Sequence, residues 1–219
     1  MFVDRYGLCF IHIPKTGGNA LTNVLIDHSS WTKLKRYKHQ DLENTFGLSD
    51  PARPQFVKHS PLSAYKQVGQ SKTVFCVLRE PRDRFVSYLA WKNRLEQKRI
   101  TREFILAAAI EYQPLQKFLD VECRLVTMDK FCAPKMPDML TVIALDFGAL
   151  QTEWASFVQR FNLASVPITL PKVNQSLGSV VQGVYDEHGD FISELINERF
   201  FEEVRVYQGF KRGGQQVLQ

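Results

Sequence analysis

Four short apolar runs punctuate the chain, Gly7 to Ile13, Gln55 to His59, Lys72 to Arg79 and Leu140 to Asp146, each leading towards a turn or a helix. Runs of this length, rich in β-branched and aromatic residues, predict buried strands. Amphipathic spacing predicts helices over Gly18 to Asp27, Pro61 to Val68, Arg82 to Lys98, Thr101 to Tyr112, Ala149 to Phe161 and Phe191 to Tyr207. Such alternation argues for an α/β fold with a central, mainly parallel sheet flanked by helices on both faces. No repeat, low-complexity tract or Gly/Ser linker divides the sequence, so a single domain over residues 1–219 is expected. In a sheet of this kind ligands gather beyond the carboxyl ends of the strands, which directs attention to the residues just after each run.

The first run breaks in Phe10-Ile-His-Ile-Pro-Lys-Thr-Gly-Gly-Asn-Ala-Leu21. Glycines let backbone N–H groups converge on an anion, the following helix start adds its positive dipole end, and Lys15 supplies a full charge. The order differs from the common P-loop, where the lysine follows the last glycine; here Lys15 precedes Gly17 and Gly18. An ordinary strand-to-helix turn with a surface lysine remains open at this point.

The third run ends in Arg79 and enters Glu80-Pro-Arg-Asp-Arg-Phe-Val-Ser-Tyr88, where Pro81 suits the first turn of a helix. Arg84 and Ser87 share a helix face, and Arg79 is brought near by the turn. An arginine fork with a hydroxyl makes a second phosphate site. The alternative is a solvated basic helix start, with Arg82 and Arg84 paired to Glu80 and Asp83.

Composition narrows the ligand. The 219 residues are 44% hydrophobic and 23% charged, enough for a full core, and carry a formal charge of +5 from 28 Lys and Arg against 23 Asp and Glu. A pI near 9.0 favours an anionic partner. No stretch has the roughly 20 apolar residues of a membrane span, and the first residues lack a signal-peptide pattern, so a cytoplasmic location is expected. Cys9, Cys76, Cys123 and Cys132 form no C-x-x-C pair and have no histidine at ligand spacing, which argues against a zinc site. Cys9 and Cys76 read as core residues, and free thiols are expected at Cys123 and Cys132.

Taken together, Ile11-His-Ile-Pro-Lys-Thr-Gly-Gly18 resembles the 5′-phosphosulfate loop, and Leu78-Arg-Glu-Pro-Arg-Asp-Arg-Phe-Val-Ser-Tyr88 the 3′-phosphate motif, of sulfotransferases related to the Golgi carbohydrate (heparan sulfate 2-O-type) enzymes. Pro171-Lys-Val-Asn-Gln-Ser176 is similar to that family's late Asn-x-Ser loop, and Tyr185-Asp186 to Phe210 is similar to its closing helix. The resemblance implies a P-loop NTPase-like three-layer fold and 3′-phosphoadenosine 5′-phosphosulfate (PAPS) as sulfuryl donor, with no required metal. It implies that Pro14, Lys15, Thr16, Gly17, Gly18, Asn19 and Ala20 form the 5′ site, that Arg79 and Ser87 take the 3′-phosphate, and that Lys172 and Ser176 close over the nucleotide. Asn19 departs from the family, which often has Thr or Ser there; an amide can still donate to a phosphate oxygen.

Sulfuryl transfer, like phosphoryl transfer, is an in-line displacement helped mostly by positioning and electrostatics. Lys15 is therefore assigned to the bridging oxygen as 3′,5′-bisphosphoadenosine departs. The acceptor hydroxyl needs a base, and His59 ends the second run at the ligand-binding edge, the position where family members often carry a catalytic histidine. His12 reads as structural; His28, His39 and His188 have no comparable placement. Asp146 ends a hydrophobic run in the manner of a magnesium-binding strand, but a loop-orienting role is preferred. Trp31 and Trp91 lie among basic residues and could carry a sugar ring, although Trp91 shares helical positions with Phe85, Tyr88 and Leu95 and reads as core. A hydroxyl acceptor, an anionic carbohydrate, is the expected partner, with nucleic acid not expected. Two rivals stay open: an ATP- or GTP-dependent kinase, opposed by the absent Gly-Lys-Ser/Thr, and a non-enzymatic basic nucleotide- or nucleic-acid-binding module using the Trp31 segment.

Overall fold

The computed structural model describes residues 2–29, 59–65, 73–131, 140–172, 178–213 and 216–218. Its sheet has six strands: β1 (Phe2–Val3), β2 (Leu8–Ile11), β3 (Thr73–Leu78), β4 (Cys123–Val126), β5 (Leu140–Asp146) and β6 (Gln216–Leu218), in the order β1-β2-β3-β5-β4-β6. The inner four are parallel, and β1 and β6 run antiparallel at the edges. The α/β fold with a parallel centre is thus the observed architecture. Pairing of Ile11 with Cys76 and of Leu78 with Asp146 brings the carboxyl ends of β2, β3 and β5 to one edge.

The central strands are buried on both faces, which is why they read as continuous apolar runs rather than alternating ones. Alternate residues serve different cores. Cys9, Ile11, Val74, Cys76, Leu78, Val142 and Ala144 face one side, covered by Leu62, Leu115, Phe118, Val206 and Phe210. Leu8, Phe10, Phe75, Val77, Ile143 and Leu145 face the other, covered by Leu21, Leu25, Trp154 and Phe157. Each fully buried Val, Leu, Ile or Phe side chain among them contributes about 1.5–3 kcal/mol. A third cluster, including Phe85, Leu89, Ile105 and Ile192, joins helices beside the sheet.

The helices are α1 (Gly18–Leu25), α2 (Pro81–Glu96), α3 (Arg102–Glu111), α4 (Leu150–Arg160), α5 (Gly178–Arg199) and α6 (Phe201–Lys211). Local chemistry fixes the start of α2: Pro81 stands in the first turn and the Glu80 carboxylate accepts the Asp83 N–H at 2.7 Å. Thr101 caps α3 by accepting from Phe104 N.

Several expectations are corrected. The helix expected over Phe191 to Tyr207 is two helices, broken at Phe200, and the first begins at Gly178. A polar, glycine-containing segment there obscures the period, and burial of Val184 and Ile192 carries it. The strands β1, β4 and β6, of two to four residues, go unpredicted because none lies within a longer apolar run, as the four-residue β2 does. His59 lies in a turn rather than a strand, with residues 55–58 outside those described. The helix expected from Pro61 is a 3-10 turn over Leu62–Tyr65, and 66–68 are outside the described residues. Cys9, Cys76 and Cys123 are buried free thiols; Cys132 lies outside the described residues.

Candidate active site

Between β2 and α1 the chain turns through Lys15 and Gly17, both in the left-handed region at φ 67° and 80°. For a lysine this conformation is strained and must be held by its surroundings. Arg79, just beyond β3, does so by donating from a terminal guanidinium nitrogen to the Lys15 carbonyl at 3.2 Å. Thr16 is buried and donates its hydroxyl to Ile13 O at 2.8 Å, which leaves its backbone N–H as its contribution to a ligand.

Close approach dictates both glycines. A Cβ on Gly17 would stand 2.8 Å from the Phe147 ring, and one on Gly18 would stand 2.3 Å from the His12 ring. His12 is therefore structural, as the sequence suggested: it is 4% exposed, stacked on Phe10, and fills the space beneath the loop. Among the described residues no side chain caps α1, which leaves the N–H groups of Gly18 and Asn19 for a ligand, whereas that of Ala20, expected to join them, donates to Gly17 O at 3.0 Å as the helix begins. Asn19 and Ala20 form its first turn, Asn19 partly exposed and Ala20 buried.

The cations crowd one another. Burial first, then the charges of Arg79 and Arg94, lower the Lys15 pKa to about 8. Burial likewise lowers that of Arg79, with Asp83 acting in the opposite sense. The Arg79 guanidinium lies 4.4 Å from the Phe147 ring centre, and its Nε is buried with no hydrogen-bond partner among the described residues. Two desolvated cations held side by side, one with an unbonded donor, are the electrostatic mark of an anion site.

One face of α2 looks onto this loop. Arg84 donates to Pro14 O at 3.0 Å, and two turns later the Lys15 Nζ stands 5.8 Å from the Trp91 ring centre. Ser87, three residues after Arg84 and four before Trp91, shares their face of α2 and is 4% exposed. Two expectations change here. Trp91 is not core: it is 38% exposed and borders the site. Arg84 is neither solvated nor a ligand fork, because it is buried against Glu203 at 2.6 Å. The Ser87, Trp91 and Arg94 spacing, a helical repeat ending on a cation, was the available signal for this edge.

His59 sits beside the same loop. Its Nδ1 donates to His12 O at 2.9 Å, and the two imidazoles meet edge to face at 4.6 Å. Since a carbonyl only accepts, Nδ1 carries the proton and Nε2 carries the basic lone pair in the neutral ring. His59 is exposed to solvent.

Asp146, across the sheet edge, accepts from Gly148 N at 3.0 Å and pairs with Lys211. Both oxygens are engaged, which fits a loop-orienting role: it shapes the turn that places Phe147 against Gly17. Lys172 is exposed, and no hydrogen bond or ion pair among the described residues links it to the loop. Trp31, His39 and Ser176 lie outside the described residues. Among the described residues no cluster of His, Cys, Asp and Glu is arranged to hold a metal ion.

Residues 1–136 match the model of the sulfotransferase family, a stretch that contains the loop, Arg79, Ser87 and His59. The chain belongs to the sulfotransferase family. That family includes Golgi carbohydrate sulfotransferases, and membership supports sulfotransfer as the general activity. No curated protein and no solved structure matches the chain. In this sulfotransferase the matched region ends before β5, so Asp146, Phe147 and Glu203, which complete the surroundings of the loop, lie beyond it.

Proposed function

We propose that this sulfotransferase transfers a sulfuryl group from PAPS to a hydroxyl acceptor, a carbohydrate. One observation carries the reading: Lys15 and Arg79, two desolvated cations joined through the Lys15 carbonyl, flank an uncapped helix start. The orphaned Arg79 Nε and the glycines that tolerate no Cβ fit a ligand with anionic groups at both ends.

The N–H groups of Thr16 to Asn19 would hold the 5′-phosphate, and Arg79 with Ser87 the 3′-phosphate. Lys15 would stabilise charge developing on the bridging oxygen, an interaction that strengthens as the bond breaks and so favours the transition state. His59, fixed by its Nδ1–H bond to His12 O, would take the acceptor proton at Nε2. Trp91, exposed beside Lys15, offers an apolar face for an acceptor ring.

Calorimetry with adenosine 3′,5′-bisphosphate, ATP and a single-stranded oligonucleotide tests the donor. Binding of the bisphosphate without magnesium, tighter than the other two, is expected; magnesium-dependent and tighter ATP binding would point to a kinase. His59→Ala should abolish turnover, assayed by screening hydroxyl acceptors with labelled PAPS, and leave bisphosphate affinity within about twofold. Normal sulfation by that variant would remove His59 from the mechanism.

A further inference from the structure

Arg84 and Glu203 come from α2 and α6, are 2% and 3% exposed, and line a small cavity with Thr16 and Arg79 beneath the anion loop. Their bonds run outward in two directions. Arg84 donates from Nε to Pro14 O at 3.0 Å, which pins the residue before Lys15, and from its other terminal nitrogen to Gln113 O at 2.7 Å. Glu203 accepts from Leu115 N at 3.1 Å and from the Tyr112 hydroxyl at 3.3 Å. The pair therefore holds both the anion loop and the start of the turn over residues 113–120.

That turn carries the segment of His59. Leu62 N donates to Phe118 O at 2.7 Å, and Ser63 donates to both oxygens of Asp120, from its N–H at 2.8 Å and its hydroxyl at 2.5 Å. The circuit closes where His59 Nδ1 bonds to His12 O, two residues before Pro14. Hydrogen bonds and one ion pair join three short covalent stretches, His12 to Pro14, His59 to Ser63 and Gln113 to Asp120, to the pair and to one another. A single buried pair is thus common to the mounting of both proposed reacting groups.

We propose that Arg84 and Glu203 are positioning residues that set the separation between the Lys15 loop and His59, with Asp120 as the outer clamp on the His59 segment. The physical reason is precision: a reacting constellation must be held within about 0.5 Å, and a charged fork fixed at three acceptors restrains both distance and angle. A hydrophobic pair of the same size would fill the volume but leave Pro14 O and Gln113 O free to shift, so the ion pair supplies geometry rather than net stability. The inference rests on His59 being the base.

Two substitutions test it. Arg84→Lys keeps the charge beside Glu203 but offers one point donor in place of the fork. It should lower kcat by about a hundredfold and bisphosphate affinity by about tenfold, at temperatures well below its melting point. Asp120→Ala, on an exposed residue, cuts only the His59 arm: kcat falls about tenfold and bisphosphate affinity stays within twofold. Nitrogen-15 spectra of the histidines read the circuit without any donor, and both variants should reduce the Nδ1-protonated fraction of His59. Should Arg84→Lys not fold, Asp120→Ala decides alone. Unchanged kcat and an unchanged His59 tautomer in the folded variants overturn the inference. Wild-type protein that fails to bind the bisphosphate overturns instead the PAPS reading, and the spectra still test the circuit.

Discussion

The end of β3 and the first turns of α2 each present an arginine to the same loop, five residues apart, and the two do opposite things. Arg79 reaches the Lys15 carbonyl and keeps a buried Nε without a partner. Arg84 has each of its nitrogens bonded, to Pro14 O, Glu203 and Gln113 O. The difference lies in what faces them. Glu203 arrives from α6 to neutralise Arg84 at 2.6 Å, whereas Arg79 lies over the Phe147 ring and beside Lys15 and feels Asp83 and Glu80 only as nearby charges, with no carboxylate bonded to it among the described residues. An arginine bonded to a carboxylate and carbonyls becomes part of the frame; one that keeps a buried donor unbonded, with a carbonyl and an aromatic face as its contacts, is kept for an anion from outside.

The largest expected effect separates them by stability. Arg84→Ala leaves the Glu203 carboxylate buried without its partner and should cost about 3–5 kcal/mol in a denaturant titration. Arg79→Ala, by the same measurement, should cost less than about 1 kcal/mol. Equal losses would break the distinction between frame and ligand group.

Next comes the loop both arginines touch. Gly18→Ala drives a methyl into the His12 ring, and overpacking of this kind costs about 1–3 kcal/mol. Because His12 O also holds His59, bisphosphate affinity and turnover should fall together. Retention of both would show that His12 can yield without moving the loop.

Arg79→Ala should weaken bisphosphate binding by about tenfold to a hundredfold, the loss of a charged hydrogen bond worth about 1.5–3 kcal/mol. Calorimetry at constant salt measures it, and an affinity within twofold would remove Arg79 from the anion site.

The smallest effect is in pH. Lys15, its pKa lowered to about 8 by burial and by Arg79 and Arg94, is protonated below that pH and loses its charge above it. Bisphosphate affinity should therefore decline as pH rises through about 8. An anion at the site favours the charged ammonium, so binding near pH 8 takes up a proton, visible as a dependence of heat on the buffer. Arg79→Ala should move this titration to higher pH. Arg84→Lys should not, since Arg84 is not among the groups that depress Lys15.

How much of this was legible beforehand follows the same divide. Strand β5 was bounded correctly and α2 and α3 to within two residues, because long apolar periods, a proline first turn and a threonine cap are local signals. The two-residue strand β1 and the split between α5 and α6 were not, because pairing partners and burial decide them. Lys15, Gly17, Gly18 and Arg79 stood out as chemistry in pattern. The helical neighbours of Trp91 predict a core residue, yet among the described residues it is 38% exposed, because burial depends on what packs against that turn of α2 and not on the period of the helix.

The sequence by itself determined the alternation that makes an α/β sheet, the two motifs at its ligand edge and the family to which they belong. Only the tertiary structure decided which arginine is free for a ligand, that a lysine takes a left-handed backbone, and that His12 supports both the loop and His59. Motifs are local, and their residue types survive in the order of the chain. The charge and freedom of a side chain depend on what is brought against it, and here those neighbours, Glu203 and Phe147, lie 119 and 68 positions away from the arginines they govern.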